Sequence, residues 1–187
     1  MKDIPGWFNF ADIYDKAVKD ASDGAVFVEL GAFLGKSTAY MAQKIKESGK
    51  IIDFYTVDMW IQYATFRREE IQDFAKIKIY SDGSLFRTFI QNMCDREVLP
   101  FIKPIQLPSE LAANLFKDFS VDFLFVDAAH NEHAVTRDLK AWERKVKPGS
   151  IWAGHDYTTH QGVRLAVDEF FVEGVVQTIG SSWLVQL

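Results

Sequence analysis

Charged side chains follow the apolar runs of this chain at the points where parallel strands would end. Glu29, Asp58 and Asp127 each come at the end of a run that predicts a strand. A fourth such run is followed directly by the pair His155-Asp156. In an open α/β sheet, ligands bind beyond the carboxyl ends of the strands, so these groups are expected to meet at one site. Carboxylates and an imidazole can bind hydroxyl groups, hold a divalent cation or accept a proton. Hydrogen bonding at a strand end would explain any one of these residues, but it does not explain why four predicted strands all end in such a group.

A glycine turn follows the first of these strands. Ala25 to Leu30 predicts a buried strand, Gly31 and Gly35 bound the turn, and a helical pattern begins at Lys36. The G-x-x-x-G spacing lacks the middle glycine of a dinucleotide fingerprint and does not fit a phosphate-binding loop. Because Glu29 precedes the turn and would repel phosphate, the pattern favours S-adenosylmethionine, which has an ammonium, a sulfonium and no phosphate. The alternative is a strand–turn–helix unit that binds no ligand.

Asp58 has the position expected of a carboxylate that binds ribose. It ends the second predicted strand and follows Gly35 by about the spacing known for that role, roughly 20 residues. A carboxylate can accept hydrogen bonds from both hydroxyls of a vicinal diol. The alternative is an aspartate that caps a turn.

The composition is typical of one globular domain. The chain has 187 residues, of which 48% are hydrophobic and 25% charged, and its net charge is −5. A negative net charge argues against nucleic acid as the main partner. The single cysteine, Cys94, is incompatible with a disulfide framework or a multi-cysteine zinc site. Neither a membrane-spanning run nor a signal pattern is evident, so we predict a soluble, cytoplasmic protein with one domain over residues 1–187.

Strand and helix patterns alternate along the chain and predict a doubly wound α/β fold. We expect a Rossmann-like, mostly parallel seven-stranded sheet with helices on both faces and an N-terminal helix within residues 1–23. The last two predicted strands, Gly174–Thr178 and Trp183–Leu187, have a short connection, so one should be antiparallel at the sheet edge. Region 61–98 is predicted to be a helical insertion that forms either a substrate wall or the contact of a homo-oligomer. Its two predicted helices are Phe66–Ile79 and Ser84–Met93.

Taken together, these motifs resemble those of class I S-adenosylmethionine-dependent methyltransferases. The resemblance is to the macrocin-type and sugar O-methyltransferases and, more distantly, to the catechol O-methyltransferases. It covers about Ala25 to Phe171 and is weak over residues 61–98. The matching stretches are Val28–Thr38 (VELGAFLGKST), Phe125–His130 (FVDAAH), Lys147–Ile151 (KPGSI) and Gly154–Tyr157 (GHDY).

The resemblance implies a binding site for each part of S-adenosylmethionine. Asp58 would bind the ribose, and Met59 and Trp60 would flank the adenine. Ser109 would lie near the adenine amino group, and Asp127 beside the sulfonium and the methyl acceptor. The residues implied at the methionine end, with the turn that carries them, are Glu29, Gly31, Ala32, Phe33, Gly35, Ser37 and Thr38.

The resemblance also implies a metal site and a base. In metal-dependent relatives, the positions of Asp127, His155 and Asp156 coordinate a divalent cation, and His130 falls where catechol-type enzymes deprotonate the acceptor. Two features depart from the family pattern. Ala129 stands where a second aspartate is usual, and His155-Asp156 replaces an aspartate–asparagine pair. A mixed nitrogen and oxygen set suits manganese, iron or zinc better than magnesium. The alternative is hydrogen bonding among these residues with no metal.

These inferences predict an O-methyltransferase that acts on a small hydroxylated molecule, such as a sugar, a natural product or a phenol. His130 would be the general base, with Asp127 as the second catalytic residue at a metal ion. The alternative for His130 is to cap the following helix or to support Asp127. Two other functions stay open: a catalytically silent S-adenosylmethionine-binding module, and a nicotinamide-dependent oxidoreductase, which the missing glycine disfavours.

Overall fold

The computed structural model describes residues 4–61 and 84–186, which form a seven-stranded sheet flanked by helices. Strands β1 to β5 are mutually parallel, whereas β7 runs antiparallel to both β5 and β6. The order across the sheet is β3-β2-β1-β4-β5-β7-β6, which confirms the predicted mostly parallel sheet with an antiparallel edge. The strands are β1 (Ala25–Leu30), β2 (Ile52–Asp58), β3 (Lys103–Gln106), β4 (Val121–Val126), β5 (Val146–Gly154), β6 (Gln177–Ile179) and β7 (Ser182–Gln186).

Six α-helices accompany the sheet in the described part of the chain. They are α1 (Ala11–Asp20), α2 (Lys36–Ser48), α3 (Leu85–Asp95), α4 (Ser109–Ala112), α5 (Glu132–Trp142) and α6 (Gln161–Phe170). Short 3₁₀ turns at Leu99–Phe101 and Ala113–Leu115 complete the connections. The helix predicted for residues 66–79 lies outside the described residues. The next predicted helix corresponds to α3, where the Ser84 side chain accepts a hydrogen bond from the Arg87 amide at 3.2 Å.

Helices cover both faces of the sheet because successive strand side chains point to opposite sides. Phe27 and Phe123 pack with apolar residues of α1, α2 and α3. Their neighbours Val28 and Leu124 pack with α4, α5 and α6 on the other face. Two apolar cores therefore hold the central strands and fix where those strands end. None of the helices in residues 4–61 and 84–186 has both the length and the apolar character needed to cross a bilayer.

Strand boundaries near the sheet edges differ from the predicted ones. Strand β3 is only four residues long, because a 3₁₀ turn occupies Leu99–Phe101 just before it. At the other edge, β6 has only three residues and is the outermost strand, while the reversed strand β7 lies between β5 and β6. Edge strands pack against fewer neighbours, so apolar patterning specifies their ends less well.

Candidate active site

The carboxyl ends of β1, β4 and β5 meet through a continuous backbone ladder. The Asp127 amide donates to the Leu30 carbonyl at 2.8 Å, and the His155 amide donates to the Val126 carbonyl at 3.1 Å. These bonds extend the sheet one residue beyond the strands. The side chains that follow β4 and β5 are therefore held at the same edge, as the sequence predicts.

The two glycines of the turn are needed because protein groups approach them closely. Gly31 has φ of +88°, and a Cβ added there would lie 2.0 Å from the Asp127 carbonyl oxygen. Gly35 also has φ of +88°, and its Cβ would lie 2.5 Å from the Met93 side chain and 2.9 Å from Phe89. A side chain at either position would push the turn away from β4 or from α3.

Glu29 is buried beneath the turn, and its side chain is only 1% exposed. Its Oε1 accepts hydrogen bonds from the Tyr14 hydroxyl at 2.8 Å and from Ser37 at 2.6 Å. Its Oε2 accepts from Thr38 and, at 3.0 Å, from Thr56. Burial raises the pKa of Glu29, and the four hydroxyls act in the opposite direction. Glu29, Ser37 and Thr38, which are predicted at the methionine end, thus lie together, but the two hydroxyls donate to the Glu29 carboxylate beneath the turn.

Asp58 binds the backbone of the same turn. Its Oδ2 accepts hydrogen bonds from the amides of Ala32 and Phe33, both at 2.9 Å, and its Oδ1 accepts from the Trp60 amide at 2.8 Å. The Trp60 indole in turn donates to the Phe33 carbonyl at 2.8 Å. Phe33 and Trp60 have φ of 49° and 45°, which non-glycine residues seldom adopt. The carboxylate therefore holds an otherwise unfavourable backbone in place.

The residues predicted near the adenine occupy different environments. Trp60 is 5% exposed and packs on Phe89, with ring centroids 4.8 Å apart. Met59 is half-buried beside it. Ser109 begins α4 and accepts hydrogen bonds from the Trp142 indole at 3.2 Å through both its hydroxyl and its carbonyl oxygen. In the described structure, Ser109 and Trp60 thus help to pack opposite faces of the sheet.

Asp127, His155 and Asp156 converge, with one ligand atom of each within 4.8 Å of the others. His155 Nδ1 lies 3.4 Å from Asp156 Oδ1 and 3.9 Å from Asp127 Oδ1. The other ring nitrogen, Nε2, lies 2.8 Å from Asn9 Oδ1 and 2.7 Å from the Ser181 hydroxyl. Partners on Nε2 orient the imidazole so that Nδ1 faces the two carboxylates, an arrangement typical of metal-binding histidines. This donor set fits a divalent cation of the zinc or manganese type.

The two aspartates of this group differ in their electrostatics. Burial raises the pKa of Asp127 well above its usual value, and the charges of Asp156 and Glu29 raise it further. For Asp156, burial also opposes ionisation, but hydrogen bonds from His130, His155 and a neighbouring hydroxyl outweigh it. They hold the pKa of Asp156 well below its usual value, so Asp156 is the stable anion of the site.

His130 contacts Asp156 directly, which the sequence analysis did not predict. His130 Nε2 lies 2.9 Å from Asp156 Oδ2, and the imidazole is 45% exposed. The N-cap of α5 is Asn131, whose side chain accepts from the Ala134 amide at 3.0 Å, so His130 does not cap this helix. His160 also contacts Asp156, with its Nδ1 3.2 Å from Oδ1, and the sequence did not single this histidine out. Its position four residues after Asp156, at the start of α6, is a signal that could have revealed it.

Comparisons with known proteins agree with this architecture. The family model described as "Methyltransferase domain" matches residues 28–157, more than half of the chain. The structure of the O-methyltransferase NovP is similar, with a TM-score of 0.64 at 15% identity over 94% of this chain and 78% of that one. An rRNA methylase from Streptococcus thermophilus has a TM-score of 0.61 at 12% identity, over 97% and 99% of the two chains. A precorrin 8w decarboxylase from Methanobacterium thermoautotrophicum has a TM-score of 0.64 at 12% identity, over 98% and 93%. These likenesses concern the fold and do not select a substrate.

Proposed function

Because this chain belongs to the methyltransferase-domain family, we propose that it transfers the methyl group of S-adenosylmethionine to a hydroxyl group of a small molecule. S-adenosylmethionine supplies an electrophilic methyl group on a sulfonium. The protein must align the acceptor oxygen with that methyl group and take up the hydroxyl proton. The observation that carries the proposal is the contact of 2.9 Å between His130 and Asp156 at the strand ends.

His130 is the proposed general base, and Asp156 is the residue that orients it. A proton on Nε2 bonds to the anionic carboxylate, which leaves Nδ1 unprotonated and able to accept a proton. His130 contacts Asp156 through Nε2 and stacks on His160 through its ring face, and neither contact occupies Nδ1. When the imidazole becomes cationic, the carboxylate of Asp156 stabilises it. The same division of roles operates in serine–histidine–aspartate sites.

Asp127, His155 and Asp156 are the residues that would hold a divalent cation. A cation there would act as a Lewis acid and lower the pKa of a hydroxyl bound to it. Asn9 and Ser181 support the assignment because both contact His155 Nε2 and fix the ring. Ligand histidines in metalloproteins usually have such a partner on their second nitrogen.

The acidic character of the site supports a small molecule as acceptor. The whole chain has a net charge of −5, and carboxylates of Asp127 and Asp156 lie at the strand ends. An RNA acceptor would bring phosphates close to these groups, and RNA-binding proteins normally offer a basic face instead. An O-methyltransferase is among the proteins that share the fold, which is compatible with a hydroxyl acceptor.

Turnover of the His130→Ala variant tests the proposed base. With sugars and phenols as acceptors, we expect turnover to fall by roughly 10²- to 10⁴-fold, the range for loss of a general base. Affinity for S-adenosylhomocysteine should be unchanged. His133→Ala is the matched control, because His133 is an exposed histidine on α5 outside the cluster. Comparable turnover of His130→Ala and the parent protein between pH 6 and 9 would exclude His130 as the base.

The same preparation separates the rival functions. S-adenosylhomocysteine should raise the unfolding temperature, because a ligand that binds only the folded state stabilises it. A rise with NAD instead would favour an oxidoreductase. Binding of S-adenosylhomocysteine without turnover of any acceptor in the panel would favour a silent binding module.

A further inference from the structure

His160 is a titratable residue that the proposed methyl transfer does not use. Its Nδ1 lies 3.2 Å from Asp156 Oδ1, and its ring stacks on that of His130 with centroids 4.4 Å apart at 25°. The Thr159 hydroxyl donates to the same Asp156 oxygen at 2.6 Å. One carboxylate therefore contacts both stacked imidazoles, His130 through Oδ2 and His160 through Oδ1.

A close backbone approach holds the two imidazoles together. A Cβ added to Gly162 would lie 2.5 Å from the His130 carbonyl oxygen and 2.7 Å from the Glu132 amide nitrogen. The first turn of α6 thus rests directly on the segment between β4 and α5, where only a glycine fits. This contact places His160, the residue before α6, next to His130. Asp156 has φ of 61°, in the left-handed region that aspartate adopts more often than most residues.

We propose that His130, Asp156 and His160 form a second cation site, which takes a first-row transition-metal ion such as Co²⁺ or Zn²⁺. Two imidazole nitrogens and one carboxylate oxygen are ligands typical of these ions, and the remaining positions stay open to water. The three ligand atoms lie within 4.8 Å of one another. Zn–N bonds of about 2.0–2.1 Å in a tetrahedron need ligand atoms roughly 3.3 Å apart. His130 lies 2.9 Å from Asp156 Oδ2 and His160 lies 3.2 Å from Oδ1, so each imidazole nitrogen is already near this spacing from one oxygen of the carboxylate.

The two imidazoles must rotate about their side-chain bonds to complete the geometry, because their rings are stacked at 25°. Their side chains are 45% and 46% exposed, whereas His155 in the neighbouring group is 8% exposed. The Thr159 hydroxyl supports the shared carboxylate in the way that outer-sphere partners support metal ligands. An ion bound here would replace the hydrogen bond between His130 and Asp156. The effect of the ion on the general base rests on the proposed function, whereas binding of the ion does not.

Cobalt binding to the full chain tests the site without any turnover. We expect Co²⁺ to bind with visible absorption bands, and its affinity to fall at least tenfold in His160→Ala. His133→Ala should bind like the parent protein. His160→Gln keeps a hydrogen-bonding side chain but loses the imidazole, so it should show the same loss. Unchanged thermal unfolding of the His160 variants would show that they stay folded.

An Asp127→Ala variant separates this site from the neighbouring group. Asp127 belongs only to the group with His155, so its loss can remove an ion bound there. It should leave the Co²⁺ absorption that depends on His160, and the affinity measured from it, within about threefold of the parent value. Three results would overturn the proposal: no Co²⁺ binding by the parent protein, equal binding by His160→Ala, or a loss confined to Asp127→Ala. Failure of the methyltransferase proposal would appear as absent turnover with Co²⁺ binding intact, so the two are distinguishable.

Discussion

Replacing Asp58 by alanine tests how the glycine turn supports the cofactor site. The Asp58 carboxylate accepts three backbone amides, those of Ala32, Phe33 and Trp60. A carboxylate offers about four acceptor positions, so about one is left for a ribose hydroxyl. We therefore expect the alanine variant to lose both the support of the turn and a direct contact with the ligand.

The magnitudes follow from burial and charge. Ala32 and Trp60 are each 5% exposed, and an unsatisfied buried amide costs about 1–3 kcal/mol. The variant should lose at least about 2 kcal/mol of unfolding free energy, or roughly 4–8 °C for a domain of this size. One hydrogen bond to a charged acceptor contributes about 1.5–3 kcal/mol, so the dissociation constant for S-adenosylhomocysteine should rise about tenfold or more.

Calorimetric titration below the unfolding transition, together with thermal unfolding followed by circular dichroism, measures both quantities. Asp53→Ala is the matched control on the same strand, because its carboxylate pairs with Lys103 at 2.6 Å on the surface. An exposed pair contributes about 0–1 kcal/mol, so the control should change stability little and affinity not at all. Asp58→Asn should lie between the parent and the alanine variant, because it keeps one oxygen acceptor.

Unchanged affinity and unchanged unfolding temperature in Asp58→Ala would refute the reasoning altogether. A large loss of stability with unchanged affinity would show that Asp58 supports the turn and does not contact the ligand. Loss of affinity in Asp53→Ala as well would point to a general effect of charge.

Two further predictions concern pH and metal. Burial raises the pKa of Asp138 from 3.8 to about 6, so this residue stabilises the fold below about pH 4 and that contribution is lost as the pH rises through 6. Asp138→Asn should therefore gain up to about 3 kcal/mol at pH 8 in urea unfolding but little at pH 4; an equal effect at both values would contradict the burial argument. Removal of divalent ions with a chelator should lower turnover by roughly tenfold or more, and Mn²⁺ should restore it, if Asp127, His155 and Asp156 hold a catalytic ion. Full activity after chelation would leave these residues as a hydrogen-bonded cluster.

The meeting of Asp127, His155 and Asp156 could be predicted because it depends on strand ends alone. Apolar runs mark the strands, and parallel pairing carries their carboxyl ends to one edge. The same argument predicts helices on both faces of the sheet, because successive apolar side chains of β1 and β4 point alternately into the two cores. The local sequence pattern therefore predicts where a residue lies wherever burial of a whole strand determines that position.

Partners supplied by distant parts of the chain could not be predicted in this way. The hydroxyls around Glu29 come from α1, α2 and β2, and the main partners of Asp58 are backbone amides, which sequence does not distinguish. His160 joins His130 only because α6 packs on the segment that precedes α5. These contacts depend on packing between elements, for which residue type and spacing give little information.

The two partners of His155 Nε2 also bear on the order in which the protein assembles. Asn9 and Ser181 are 172 positions apart, and each contacts the other as well as the histidine. Contacts between such distant positions carry a large loop-closure cost and form slowly. During synthesis, at about 5–20 residues per second, Asn9 would wait roughly ten seconds or more for Ser181 to be made. The orientation of this imidazole is thus among the last features that the newly made chain can acquire.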